Sequence, residues 1–354
     1  MFRLRSRTAP DRAPAAQLRQ QAEQAEADGR LIDALDLLRQ ANRAEPDPAT
    51  EAHIVELRHR GFDQVEDGTP LDSWPRVLPD LFPDVEGIPE VGTDQLTTER
   101  LGSAMVNHGA LLVRGLVEPD LVARLVAGID AAFEGRDAWE AEPEQPTTPW
   151  FVPFVPAGRF AGDLSREFVR KGGAVWTGDS PRALFEVLEN YDRVGLAEVI
   201  GGYLGERPVI SLRKSTLRRV PHDLPHADWH QDGAFLGSDV RSVNVWLALT
   251  DCGGDAPASG LDFLPRRVDH VLETGTEGAY FDWSVGHDLV TRLADELEAP
   301  IERPAFRAGD ALLFDDLFLH RTAVGEHLRV PRYAIESWFF APSRYPDDQI
   351  PLVF

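Results

Sequence analysis

From residue 208 onward the chain reads as short β-rich runs, PVISLRKSTLRRV, SVNVWLALTD, GLDFLPRR, ALLFDDLFLH and RYAIESWFFAP, separated by turns. Short strands at this spacing, with no helices of βαβ length expected between them, argue for an antiparallel sandwich or jelly roll. Helical patterns precede the block: SPRALFEVLEN, VGLAEVIGGYLG, and a short β run at 110–113 followed by a helix that Pro119-Asp120 opens and that ends near 133. These helices should pack on the outside of the β block, which makes the class α+β.

The first part of the chain differs. Residues 15–61 have a helical period and almost no β-branched side chains, and they parse as two helices joined at Asp28-Gly29 with a third after Pro46-Asp47-Pro48. The spacing of Leu18, Ala22, Gly29, Ala34, Leu38, Ala41 and Pro46 resembles one tetratricopeptide repeat. A single repeat cannot bury its own apolar face, so this N-terminal α-helical hairpin must dock on the rest of the chain or on a protein partner. Residues 62–95, rich in Pro, Asp and Gly, read as a linker. The expected division is a helical segment 1–61, a linker 62–95 and a main domain 96–354.

Several classes of function are disfavoured. The formal charge of −23 repels a phosphate backbone, against nucleic-acid binding. No apolar run approaches the roughly 18 residues of a membrane span. The basic start MFRLRSRTAPDRAP lacks the apolar stretch of a secretory signal, and the single cysteine, Cys252, fits a reducing cytoplasm. A cytoplasmic protein acting on a small-molecule substrate is the expectation.

The chemistry is concentrated in WHQDG, residues 229–233. Side chains at i and i+2 of an extended strand share a face, so His230 and Asp232 can converge on one ion. His226 and Asp228 have the same spacing, but Pro221 and Pro225 make their surroundings irregular, and the second pair is preferred. A third ligand should come from another strand, and His320, at the end of ALLFDDLFLH, suits it better than His270, His287 or His327 in their polar surroundings. Two histidines and a carboxylate with the remaining positions open form the facial set of non-haem Fe(II) oxygenases. A closed zinc site would want four ligands, usually with cysteine.

GALLVRGLVEPDLVARL, WHQDG, VNVWLALTD followed by SGLDFLP, and GDALLF…LHRT…RYAI together resemble the phytanoyl-CoA dioxygenase family of Fe(II)/2-oxoglutarate oxygenases, over residues 96–341. The resemblance implies a double-stranded β-helix (jelly roll). It implies Fe(II) and 2-oxoglutarate as cofactor and co-substrate, and hydroxylation of a small molecule by hydrogen abstraction with release of succinate and carbon dioxide. It makes His230, Asp232 and His320 the catalytic metal ligands, Arg332 the partner of the distal carboxylate of 2-oxoglutarate, and Thr322 its assistant. Relatives that halogenate lack the metal carboxylate, whose place Asp232 fills here. The chain departs from the family at Pro265-Arg266-Arg267, where Pro-Gly-Ser-His is usual.

Other residues carry weaker expectations. Arg329 competes with Arg332 for the same task. Alternation from Arg332 puts Ala334, Glu336 and Trp338 on its face, and Glu336 is weighed as a substrate contact against an exposed rim carboxylate. Trp229, Gln231, Asn244 and Trp246 should line the pocket or lock it, with Asn244 the best polar candidate for a cofactor contact. The loop EPEQPTTPWFVPFVPAGRF, with Trp150, Phe151 and Phe154, is a candidate lid weighed against packing. Arg213, Lys214, Arg218 and Arg219 either meet an anion at the pocket mouth or balance acidic helices across a surface. A non-catalytic scaffold, binding a partner through the hairpin, is the rival from another class.

Overall fold

The computed structural model describes residues 14–65, 71, 73–143, 148–162, 164–224, 226–237 and 239–354. The basic start, Pro225 and part of the candidate lid, 144–147, lie outside the described residues. Helices α1 (Ala15–Ala27) and α2 (Leu31–Ala44) form the hairpin, turned at Gly29 with a φ of 76° that a side chain would disfavour. Helix α3 (Pro48–Arg60) starts where Asp47 accepts the Thr50 amide at 2.8 Å, with Pro48 pre-set in its first turn. Ala22, Ala25, Ala34, Leu35, Leu38, Ile54 and Leu57 close a small core among the three.

These helices dock on the chain itself. The buried Arg58 guanidinium donates to the Val353 carbonyl, and His59 Nδ1 donates to that of Pro351 at 3.0 Å. Glu51 takes Arg182 at 3.0 Å, and Arg39 takes Glu189 at 2.6 Å. Phe62 follows α3 into the core of the main body, against the rings of Phe160 and Tyr345. Phe62→Ala should therefore cost about 3–5 kcal/mol in a urea titration of the whole chain. A loss below about 1 kcal/mol, the level of a surface change, would mean that this segment is not integral to the fold.

The main body begins with β1 (Glu90–Gly92), α4 (Thr98–His108), β2 (Ala110–Arg114) and α5 (Pro119–Ala141), the last running beyond the expected end near 133. Gly109, at a φ of 87°, stops α4 so that β2 can turn back. There follow α6 (Arg166–Lys171), β3 (Ala174–Trp176), α7 (Pro181–Arg193), α8 (Leu196–Leu204), β4 (Val209–Ser211), β5 (Thr216–Val220), α9 (Gly233–Leu236) and β6 (Ser242–Ala248). The chain ends with β7 (Leu261–Phe263), α10 (His287–Glu296), β8 (Ala311–Phe314), β9 (His320–Thr322), β10 (Arg332–Phe340) and β11 (Pro351–Val353).

Among the described residues, nine strands join in one sheet along β1-β2-β8-β6-β10-β4-β11, with β5 bridging β10 and β3. Its pairs are antiparallel except β1 with β2. Strands β7 and β9 form a second, smaller layer, which single bridges extend from Phe263 to Glu302 and from His320 to His230. The α+β class holds, with one correction: α10 interrupts the β block. It is tolerated because β7 and β8, on either side of it, belong to different layers.

Both faces of the large sheet are covered, which is why VNVWLAL is apolar without alternation. Val243, Val245, Leu247, Ile335 and Phe339 pack with Leu125 and Ile129 of α5 and Val187 and Leu188 of α7. Trp246, Ala248, Ala334, Trp338 and Phe340 face the other way, toward Leu261 and Phe263 of the second layer and Phe318 just before β9. The space between the layers is therefore where an inward polar side chain becomes informative. No helix of the described residues is long and apolar enough to cross a membrane.

Candidate metal centre

The backbone pair between His230 and His320 builds the centre. Each amide donates to the other's carbonyl, at 3.0 and 3.1 Å, which sets the two rings side by side with centroids 4.4 Å apart. The chain is extended only as far as His230 and then turns, so that Asp232 stands in a helical conformation just before α9, its side chain making no capping bond. The turn still leaves its carboxylate beside the imidazoles. His230, Asp232 and His320 offer ligand atoms that all lie within 4.8 Å of one another.

Protonation suits a cation. His230 Nδ1 donates to the Asp228 carbonyl at 3.0 Å and His320 Nδ1 to that of Phe318 at 2.9 Å, so each ring keeps an Nε2 lone pair for a metal. Burial, and then the neighbouring His230, push the His320 pKa down to about 4, which keeps this imidazole neutral at pH 7. Burial alone would raise Asp232, but the Lys214 ammonium that bonds its carboxylate outweighs it and helps bring the pKa down to about 2. Neutral nitrogen donors and an ionised carboxylate are what a divalent metal requires.

The alternative ligands lie elsewhere. His226 is exposed and rests on the Tyr280 ring, 4.3 Å between centroids, and His270, His287 and His327 are exposed as well. Asp316 is buried and accepts from Ser242 at 2.8 Å; burial and the adjacent Asp315 raise its pKa to about 7.

Arg332 is buried on the inner face of β10 with its guanidinium 5.2 Å from the Trp246 ring. One nitrogen donates to the Gly260 carbonyl at 2.9 Å, but Nε has no protein partner, and neither have the buried Ser259 Oγ and Trp246 Nε1. Among the described residues no carboxylate pairs with this charge, although burial lowers its pKa only to about 10 and leaves it ionised. Arg329, by contrast, is exposed and donates to carbonyls of its own loop, Glu326 and Leu328. Thr322 is half-buried, next to Ala323, whose amide shares the Gly260 carbonyl with Arg332. Asn244, opposite Trp338 and Phe314 in the ladder, has a buried Oδ1 with no partner. Phe314 in turn lies 4.8 Å from the His320 ring.

Of the basic run, only Lys214 reaches the triad: it pairs with Asp232, with its ammonium 5.2 Å from the Trp338 ring. Arg218 holds Glu336 at 2.7 Å, so that carboxylate is an internal ion pair rather than an exposed rim. Arg219 pairs with Asp130 at 2.7 Å, and Arg213 donates to the Asp348 carbonyl at 2.8 Å. Arg267, within the departure from the family pattern, pairs with the buried Asp315.

Four expected substrate residues are not brought to the centre. Gln231 and Trp229 alternate with the ligands and point away from them. The Gln231 amide is spent on the His270 and Leu317 carbonyls at 3.1 and 2.7 Å and on the Leu272 amide at 2.7 Å, and Trp229 packs with Val268, Val285 and Leu319. Trp150 sits over Gly128 of α5, where a Cβ would come within 2.4 Å of its ring, and Phe154 is in the helix-side core. These two belong to the packing alternative, because the sheet stands between them and the inner face. Sequence reasoning passed over a different aromatic group, Phe235 of α9 with Tyr280, Phe281 and Trp283, the last three signalled by the cluster AYFDW in a polar loop.

Fold and site thus define an α+β protein with an open centre of two histidines and one carboxylate. No family model matches the chain, and no curated protein does. Solved structures with a likeness to it include AviO1 from Streptomyces viridochromogenes Tue57, at 15% identity over 71% of this chain and 98% of that one with a TM-score of 0.43. Another is the non-heme alpha ketoglutarate dependent carbocyclase SnoK from nogalamycin biosynthesis, at 15% identity over 71% and 86% with a TM-score of 0.43. A third is EctD from S. alaskensis with 2-oxoglutarate and 5-hydroxyectoine, at 17% identity over 78% and 87% with a TM-score of 0.45. Likenesses this distant carry no functional weight; the geometry of the metal centre carries it.

Proposed function

We propose that this chain is an Fe(II)- and 2-oxoglutarate-dependent oxygenase that oxidises a small molecule by hydrogen abstraction, releasing succinate and carbon dioxide. The two layers are read as the sheets of a double-stranded β-helix, a jelly roll. The observation that carries the reading is the pairing of an open facial triad with a buried guanidinium, bonded to a backbone carbonyl but to no carboxylate among the described residues, on the sheet face that looks toward it. Buried charges are normally paired, so Arg332 wants an anion that the chain does not supply. A 2-oxo dicarboxylate would meet that need at one end and chelate a metal at the other.

The roles divide accordingly. His230, Asp232 and His320 would hold the metal, leaving positions open. Fe(II) bound there, with 2-oxoglutarate, supplies the oxidising equivalent from dioxygen. Arg332 would fork onto the distal carboxylate, with Ser259, Trp246 and Thr322 as further donors beside it. Asn244 would offer its Oδ1 inside the chamber, and Trp338 and Phe314 would exclude water around the imidazoles. The division into a helical segment 1–61, a linker 62–95 and an oxygenase domain 96–354 belongs to this reading. The N-terminal part supplies no ligand, and its role is structural.

Succinate formation dependent on Fe(II), 2-oxoglutarate and oxygen tests the proposal. A binding shell without chemistry would form none above the level of a His230→Ala variant. The finer outcome follows from Asp232: as a ligand its carboxylate would take the place a halide would need and would add a negative charge against a second anion. Product masses in excess chloride should therefore show oxygen insertion, desaturation or ring closure. A chlorinated product from the unaltered chain would mean that Asp232 is not a ligand.

A further inference from the structure

Resting on the oxygenase reading, we propose that the substrate is a planar, ring-bearing apolar molecule that stacks on an aromatic ladder beside His230. Of the triad, Asp232 and His320 are buried and His230 is only half-buried, so the centre opens on the His230 side. The ladder stands there. Trp283 meets the His230 ring edge to face at 6.1 Å and 82°. Phe281 stacks on Trp283 at 5.3 Å and 11°, Tyr280 meets Phe281 at 4.8 Å, and Phe235 of α9 meets Trp283 at 5.5 Å.

These rings are exposed at an energetic cost. Phe235, Tyr280, Phe281 and Trp283 are 43%, 67%, 42% and 40% exposed. Phe168 is the one other strongly exposed aromatic side chain of Phe, Tyr or Trp among the described residues, so the exposed rings are gathered beside the triad rather than scattered. Contiguous exposed apolar surface of this kind marks an interaction site. Its continuity with a metal ligand selects the substrate over a protein as the occupant. The ladder is also held in place. The Val285 amide donates to the Trp229 carbonyl at 2.8 Å, Ser284 Oγ bonds both the amide and carbonyl of Phe281, and the Gly275 amide donates to the Ser284 carbonyl.

The geometry discriminates among apolar ligands. An aromatic cage for a quaternary ammonium needs ring faces converging on a point. Here Phe281 and Trp283 lie nearly parallel and cover one face of each other, and the part of each ring that stays exposed offers surface for offset stacking by another flat ring. The run reaches outward from Trp283 through Phe281 to Tyr280, so it spans more than a single ring.

The test uses the full chain and 9-phenanthrenol as probe, with cyclohexanol as the non-planar control, in fluorescence and competition titrations without oxygen. One saturable phenanthrenol site per chain is expected and none for cyclohexanol. Trp283→Ser and Phe281→Ser should each weaken it at least about fivefold. Tyr280→Ser, at the outermost and most exposed ring, should fold in any case and weaken it about twofold. Phe168→Ser, outside the ladder, should leave it unchanged. Equal affinity across all variants, no saturable site, or a self-association that Trp283→Ser abolishes would each overturn the inference. Succinate formation by the unaltered chain without probe reports the oxygenase reading separately, so the two can fail independently.

Discussion

His230→Ala and His320→Ala are each expected to weaken divalent metal binding at least about a hundredfold and to abolish metal-dependent turnover, with the circular dichroism of the fold retained. Losing a neighbour of a ligand typically costs 10–100-fold in affinity, and losing the ligand itself must exceed that. The fold should survive because the bridge between the two residues is made by their backbones, at 3.0 and 3.1 Å, and does not use the rings. His226→Ala should bind metal normally, since its ring lies exposed against Tyr280. Titration with Mn(II) or Co(II) reads all three; loss in His226→Ala with retention in His230→Ala would move the centre to the other histidine.

The second large effect concerns Arg332. Arg332→Lys should weaken 2-oxoglutarate binding at least about tenfold, because an ammonium cannot hold both the Gly260 carbonyl and a carboxylate in a planar fork, and a charge-assisted bond contributes about 1.5–3 kcal/mol. Arg329→Lys should change the affinity less than about twofold, as its guanidinium serves only its own exposed loop. Calorimetric titration of the metal-loaded chain measures both. The reverse pattern would exchange their roles.

Much of the centre was legible in WHQDG and in the histidine that ends ALLFDDLFLH, because ligand chemistry restricts residue types and a two-residue spacing is local. The facing of Gln231 and Trp229 was not. Both sit among the candidate ligands in sequence, yet Trp229 packs with Val268, Val285 and Leu319, and Gln231 is claimed by carbonyls 39 and 86 residues away. Trp150 and Phe154 misled for a similar reason: an aromatic loop next to a β domain can cover either face of a sheet. Here it covers the helix side, against Gly128 and the core with Leu125 and Ile129.

By itself the sequence determined most of the elements and which residues could serve as ligands. Helical period, prolines at helix starts, Gly29 and Gly109 at turns, and apolar strand runs are local signals, and their energetics are settled within a few residues. Tertiary structure decided which charges meet. Lys214 stands in a run of four basic residues that look alike, and only the turn before β5 carries it to Asp232 while Arg218 and Arg219 take Glu336 and Asp130 on opposite faces. It likewise decided that Arg332 is buried with its Nε unsatisfied and that the rings of 280–283 stand beside His230. Burial and pairing depend on segments more than a hundred residues apart, such as Arg218 and Glu336, whose approach no local spacing encodes.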